Sequence, residues 1–281
     1  MKKINYPTVL TIAGTDPSGG AGIQADIKTI SATGSYATSV ITALVAQNTQ
    51  GVQAIEAVSA NFITEQLNSV FSDININAVK IGMLHNKKVI SAVASALEKY
   101  KPKIIVLDPV MIAKNGSELL SLEDINFLIE KLFPLVTLIT PNLFEAEKII
   151  GHKIRNFQEM EVAAKKIAEL YFVNVLLKGG HLNTSQSSDV LYLKNQSSFH
   201  WFHASRIKTK NTHGTGCTFS SAIASFLAQN YSLIKSIQCS KHYLTQAIKS
   251  GSKFKIGQGC GPVDHFYFLT GDKENAVFEN A

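Results

Sequence analysis

Asn211-Thr-His-Gly-Thr-Gly-Cys-Thr-Phe-Ser-Ser-Ala-Ile-Ala-Ser-Phe-Leu227 changes character halfway along. Its first half is too rich in glycine and small polar residues to hold a strand. Its second half places apolar residues at 219, 222, 223, 226 and 227, which is helical spacing. The junction therefore reads as a helix N-terminus fed by a loop, with unpaired first-turn N–H groups beside the positive end of the dipole. Gly214 and Gly216 let the backbone come close to whatever lies there. An anion, above all a phosphate, fits such a place, and Cys217 would lie within its reach.

Upstream, the same grammar recurs: a short apolar run, a glycine-rich or polar break, then a helical pattern. Thr8–Ala13 reads as a buried strand ending in the 14–22 loop, with a helix to about Thr33. Tyr36–Ala46 reads as one β-branched strand, and residues 54–58 as another. Further strands are expected at 79–81, 103–107, 136–139 and 173–177, and a two-stranded element at 188–194 and 198–203. Helices are expected near 61–71, before Tyr100, and at 122–132, 142–150, 157–172, 217–229 and 233–250. Strands alternating with helices predict an α/β fold, a mostly parallel central sheet with helices on both faces, in a single domain over residues 1–281. In such sheets ligands bind outside the carboxyl ends of the strands. Gly14–Gly22, Gln47-Asn48, Gly82-Met83, Asp108, Asn142 to Glu145 and Lys178-Gly-Gly180 all stand at those ends.

Two phosphate motifs are mimicked in the first loop. Gly14 and Gly19 have P-loop spacing, but Gly20 stands where a Walker loop needs lysine. Gly20-Ala-Gly-Ile-Gln-Ala25 fits the dinucleotide fingerprint, yet no acid lies between Asp26 and Glu56 to hold a ribose. Composition narrows the class further. With 45% hydrophobic and 17% charged residues in 281, the chain is globular. No apolar run reaches the roughly 18 residues that span a bilayer. Three separated cysteines give no disulfide framework or zinc site and suit a cytoplasmic location. The net charge of +6 lacks a nucleic-acid motif, so counter-charge for a small polyanion explains it better.

The segments Thr11–Asp26, Val40–Thr49, Lys80-Ile-Gly-Met-Leu84, Leu107-Asp-Pro-Val-Met111, Thr140-Pro-Asn142 with Glu145, Leu177-Lys-Gly-Gly-His181 and Lys210–Cys217 follow one another in a familiar order. Together they resemble the hydroxymethylpyrimidine/phosphomethylpyrimidine kinases of thiamine biosynthesis, within the ribokinase-like superfamily. The resemblance runs from about residue 8 to 268. It implies transfer of the γ-phosphoryl of ATP to 4-amino-5-hydroxymethyl-2-methylpyrimidine and then to its monophosphate, by a homodimer that needs Mg²⁺. It also implies roles. Cys217 would act as base, with Gly214, Thr215 and Gly216 forming the anion hole. Gln47, Gly14, Asp26, Met83, Val45 and Val110 would hold the pyrimidine. Lys178, Thr209 and His213 would meet ATP, and Asp108, Asn142 and Glu145 would place the metal through water. A helix N-terminus is expected to lower the Cys217 pKa from about 8.5 toward neutrality. Pyridoxal kinase, acting on another hydroxymethyl heteroaromatic ring, is the alternative enzyme. A catalytically silent vitamin-binding protein would keep the pocket but lose the metal and base residues.

Overall fold

The computed structural model describes residues 6–111 and 119–270; the N-terminal lysines at 2 and 3 lie outside them. Ten strands and nine helices follow in chain order among the described residues. They are β1 (Thr8–Ala13), α1 (Gly22–Ala32), β2 (Tyr36–Ile41), β3 (Ala43–Asn48), β4 (Gly51–Ala57), α2 (Ala60–Asp73), β5 (Ala78–Ile81), α3 (Lys87–Tyr100), β6 (Ile105–Leu107) and α4 (Leu122–Leu132). After a short 3₁₀ turn come β7 (Leu138–Ile139), α5 (Leu143–Ile150), α6 (Phe157–Tyr171), β8 (Asn174–Lys178), β9 (Gln186–Leu193), β10 (Ser198–Ser205), α7 (Thr215–Ala228), α8 (Leu233–Gly251) and α9 (Tyr267–Thr270).

Eight strands form one sheet in the order β10-β9-β8-β7-β6-β5-β1-β2. Pairing is parallel from β2 through β8, and the β9–β10 hairpin closes that edge antiparallel. Burial on both faces is written into the strands as unbroken apolar runs whose neighbours point opposite ways. Leu10 and Ile12, Val79 and Ile81, and Ile105 and Leu107 enter one core with α2 to α6. Val9, Ala78, Val106, Leu138 and Leu176 enter the other, against α1, α7 and α8. The expected architecture is therefore present.

One expectation fails. Tyr36–Ala46 is two strands: the chain turns at Thr42, whose hydroxyl donates to the Met83 carbonyl (2.7 Å), and β3 leaves the main sheet. It pairs antiparallel with β4 as a separate two-stranded arm. Burial shows why apolar content misled. β3 alternates buried Ala43 and Val45 with exposed Leu44 and Ala46, so only one face is covered, whereas a central strand is covered on both. Among the described residues no helix is long and apolar enough to cross a membrane.

Candidate active site

The chain runs outward from β1 to β2 and then returns to place β5 on the other side of β1. That reversal opens a crevice at the carboxyl ends of the strands, and a cleft of about 940 Å³ occupies it. Fifteen of the sixteen site residues expected from sequence line this cleft: Gly14, Val45, Gln47, Met83, Asp108, Val110, Asn142, Glu145, Lys178, Thr209, His213, Gly214, Thr215, Gly216 and Cys217. Asp26 does not.

The helix caps show how the cleft gets its amides. Ser59, Asn86, Ser121, Asn142, Asn156 and Ser232 cap α2, α3, α4, α5, α6 and α8 with side-chain oxygens. Helices α1 and α7 begin without such a cap, and both open on the cleft. The first-turn N–H groups of α7 are left to whatever binds there, whereas α1 donates its Ile23 amide to the Gly14 carbonyl (3.0 Å) and its Gly22 amide to the Cys217 thiol. Gly214, the residue before α7, has φ +74, and a Cβ there would stand 1.7 Å from the Gly20 carbonyl oxygen. Only glycine lets the two glycine loops press together. A Cβ on Gly216 would lie 3.2 Å from Asp108 Oδ2 and 3.4 Å from Lys178 Nζ, so the anion loop abuts a charged pair.

That charged end is dense. Lys178 Nζ donates to Asp108 Oδ1 (2.6 Å), which also accepts from the Thr140 hydroxyl (3.1 Å). Burial alone would lower the Lys178 pKa, but Asp108 and Glu145 hold it raised. Glu145 is buried, and burial pushes its carboxyl up to about 7 against the pull of Lys178, with Asp108 adding to the rise. Asn142 and Glu145 form a capping box: each side chain accepts from the other's backbone N–H, at 2.8 and 3.0 Å. The spacing of three that suggested a shared metal face also serves the helix end. Among the described residues no three His, Cys, Asp or Glu side chains enclose a metal site.

Three expectations are corrected here. Asp26 lies wholly buried beneath the cleft, its carboxylate taken by Lys80 (2.7 and 2.8 Å), Thr11 (2.6 Å) and Ser221 (2.7 Å), leaving no edge for a ligand. It anchors Lys80, which lines the cleft floor. His213 is held at Nε2 by other side chains: it meets Asp16 (2.7 Å) and the Gln47 carboxamide (3.3 Å), binding the two glycine loops together. Burial would raise the Asp16 pKa, but hydrogen bonds from His213, Ser18 and the Ala21 amide pull it to about 2. The Cys217 thiol is not lowered. Burial pushes it up to about 11, and Asp26 and Asp108 add to the rise against Lys80 and the Gly22 amide. A helix N-terminus offers roughly 0.3–1 kcal/mol, less than one pKa unit, and does not offset that burial.

Sequence reasoning missed Lys80, Asp16 and the distal end of the cleft. Lys80 had a signal, a lone charge inside the otherwise apolar Ala78–Ile81 strand. At the distal end Phe219, Leu244 and Ile248 form an apolar wall; Leu244 and Ile248, four apart on α8, share a face. Lys241 pairs with Asp189 there (2.6 Å), and Asp189 also accepts from the Gly179 amide (3.0 Å). Arg206 is no free counter-charge. Its guanidinium donates to the carbonyls of Gly180, Leu182, Thr184 and Gln186 and holds that loop over the cleft.

Comparison with known proteins agrees with this geometry. Residues 16–264 match the family described as phosphomethylpyrimidine kinase. The chain is 47% identical over 268 residues to the hydroxymethylpyrimidine/phosphomethylpyrimidine kinase of Escherichia coli K12, covering 95% of this chain and 99% of that one. It is 48% identical over 258 residues to the thiamine biosynthesis bifunctional protein ThiED of Geobacter sulfurreducens, covering 92% of this chain but only 52% of that longer protein. Among solved structures, the phosphomethylpyrimidine kinase of Clostridium difficile aligns with TM-score 0.76 and 46% identity over 86% of this chain and 99% of that one. The ADP complex of Bacillus subtilis pyridoxal kinase aligns with TM-score 0.85 and 35% identity over 94% and 99%. The chain belongs to the phosphomethylpyrimidine kinase family and has its ribokinase-like fold.

Proposed function

We propose that this chain, a kinase, uses ATP to phosphorylate 4-amino-5-hydroxymethyl-2-methylpyrimidine and then its monophosphate, giving the diphosphate used in thiamine biosynthesis. The observation that supports this reading most is the division of one cleft. Gly14, Val45, Gln47 and Met83 offer a small, partly apolar seat, the Gly214–Cys217 amides stand beside it, and the apolar wall at Leu244 and Ile248 lies beyond. A ring, a transferring phosphoryl group and a purine fit these three places in that order. Phosphoryl transfer asks for positioning and charge neutralisation rather than covalent work, and the uncapped α7 N-terminus, Lys178 and Lys80 supply it.

Mg²⁺ belongs to the proposal. Asp108 and Glu145 are hard oxygen donors on one wall, which suits an ion that keeps several waters and binds protein through one or two carboxylates. Bound there, it would neutralise developing charge on the phosphates. Cys217 would face the acceptor hydroxyl as a neutral thiol. Homodimeric assembly and action as a single kinase domain complete the reading.

The test supplies ATP with the aminopyrimidine, its monophosphate or pyridoxal and follows ADP release and the phosphorylated product by mass. The expected result is mono- then diphosphate from the pyrimidine, with pyridoxal slower. Faster turnover of pyridoxal would reverse the assignment, a second reading favoured by the higher TM-score to the pyridoxal kinase. Binding without turnover of either would leave the silent vitamin-binding protein.

A further inference from the structure

Four donors converge on the Asp16 carboxylate. The Ser18 amide (2.9 Å) and hydroxyl (2.7 Å) meet Oδ1, while the Ala21 amide (2.7 Å) and His213 Nε2 (2.7 Å) meet Oδ2. A carboxylate so surrounded is an acceptor only, so His213 Nε2 carries a proton and donates it, whether the ring is neutral or charged. The same nitrogen faces the Gln47 carboxamide nitrogen at 3.3 Å. In that arrangement two donors oppose each other. A half-turn of the carboxamide places Oε1 there and lets the His213 Nε2–H bridge both oxygens. Little else is free to move: His213 N donates to the Gly261 carbonyl (3.0 Å), and a Cβ on Gly20 would stand 2.4 Å from His213 Cδ2.

We propose that the Asp16–His213 pair fixes the Gln47 carboxamide with its carbonyl against His213 and so decides which way round the aminopyrimidine sits. This rests on the substrate reading above. A glutamine amide reads an aminopyrimidine as it reads adenine, with its oxygen accepting from the exocyclic amine and its NH₂ donating to the ring nitrogen. With Oε1 on the His213 side, the amino group lies on that side and the ring nitrogen on the far side. The next ring position beyond the amino-bearing carbon carries the hydroxymethyl group. It therefore extends past His213 toward Gly214–Cys217, where the phosphoryl group would arrive. Reversing the amide turns the ring over and carries the hydroxymethyl away from the anion loop. Asp16 and His213 are thus positioning residues that act through Gln47.

The experiment measures kcat/KM for 4-amino-5-hydroxymethyl-2-methylpyrimidine and for 5-hydroxymethyl-2-methylpyrimidine, which lacks the amine. It does so in wild type, His213→Leu, His213→Gln and Asp16→Ala, with the KM for ATP alongside. Wild type is expected to prefer the amine by roughly 10-fold or more, because the unmatched Gln47 oxygen is otherwise left unpaired. His213→Leu should shrink that preference to within about threefold, His213→Gln should restore most of it through a carboxamide N–H, and the KM for ATP should stay put. Because the preference is a ratio within one preparation, a reduced folded fraction does not move it. Should His213→Leu fail to fold, Asp16→Ala reads the same ratio: with no acceptor there, the imidazole can leave Nε2 bare, which accepts from the Gln47 NH₂, admits the reversed amide and lowers the preference. An unchanged preference in the folded variants, with both substrates losing equally, overturns the inference and leaves His213 a purely structural tie. A wild type that does not phosphorylate the aminopyrimidine at all refutes the substrate reading first, and this inference with it.

Discussion

The two ends of the cleft are built on different physics. Around Gln47 the side chains are neutral or fully matched: Met83, Val45 and Gly14 make an apolar seat, and the Asp16 carboxylate has all its donors. Around Cys217 there are charges, the wholly buried Lys80 with Asp26 and the half-buried Lys178 with Asp108, and buried Glu145 stands as a third acid against two cations. The matched end is finished before any ligand arrives. The charged end is one acid in excess; burial is the main reason that the Glu145 and Cys217 protons are held so tightly, and the neighbouring acids add to it. A neutral ring can enter the first without rearrangement, whereas a polyanion must exchange partners in the second. This contrast orders the expected effects of substitution.

The largest effect is expected where the ends meet. Gly214→Ala puts a Cβ into the Gly20 carbonyl at a φ that disfavours side chains. Either loop must retreat, and a displacement of about 1 Å in a positioning loop costs roughly 10²-fold. Turnover should fall by at least that much, with the KM for both substrates raised, since both ends lose their shared wall. A loss of ATP affinity alone would show that the two loops are not one unit.

Cys217→Ala comes next, with kcat lower by roughly 10²-fold if the thiol is the base. The pH profile decides the role. A thiol whose pKa is pushed up to about 11 is protonated across the neutral range, so a base-limited kcat should climb tenfold per unit from pH 7 to pH 9. A flat profile with a small loss in Cys217→Ala would make the thiol a neutral wall of the anion hole. The amides and lysines would then carry the reaction.

How much of this was legible from the chain alone follows the same division. The parallel sheet was, because strands buried on both faces are unbroken apolar runs. The convergence of Gly14, Gln47, Met83, Asp108, Glu145 and Lys178 was too, since the alternation puts every strand end on one rim. What each polar group does there was not. Asp26 and His213 carry no sign in sequence of being consumed by Lys80 and Asp16, partners 54 and 197 residues away. The Cys217 pKa depends on burial by surrounding elements, which local helix position does not reveal. The arm of β3 and β4 was misread because one-sided burial and two-sided burial look alike in so short an apolar stretch.

Glu145→Gln tests the excess acid at the charged end. Burial raises its pKa from 4.5 to about 7, so the folded protein holds this proton more tightly than the unfolded chain does. Stability from this group is full below about pH 4.5 and is lost as pH rises through 7. The neutral variant should therefore be more stable than wild type at pH 8, on the order of 1–3 kcal/mol, and equal to it at pH 4.5. In activity the order reverses: kcat should fall by roughly 10–10²-fold and the Mg²⁺ requirement rise, if the carboxylate holds the metal through water. Matching thermal melts at pH 8 and overlapping Mg²⁺ titrations would leave Glu145 only its capping box.

The smallest effect is expected at the matched end, and its selectivity makes it informative. Gln47→Leu keeps bulk on β3 but removes both halves of the amide. The aminopyrimidine would then bury an amine and a ring nitrogen without partners, at about 1–3 kcal/mol for an unsatisfied group. Its KM should rise about 10-fold, with kcat changing less. The KM for ATP should not move, because the side chain that Gln47 meets by hydrogen bond is His213, not Thr209, Leu244 or Ile248. His213 would keep Asp16 as its partner, so the seat itself should stay intact. Pyridoxal, which lacks the amine, should lose far less than the pyrimidine, and the gap between the two substrates should narrow in the variant. Equal losses for pyrimidine and ATP would mean that the two ends are coupled after all, through the loop Gly214 shares with both. Equal losses for pyrimidine and pyridoxal would mean that Gln47 shapes the seat without reading the ring.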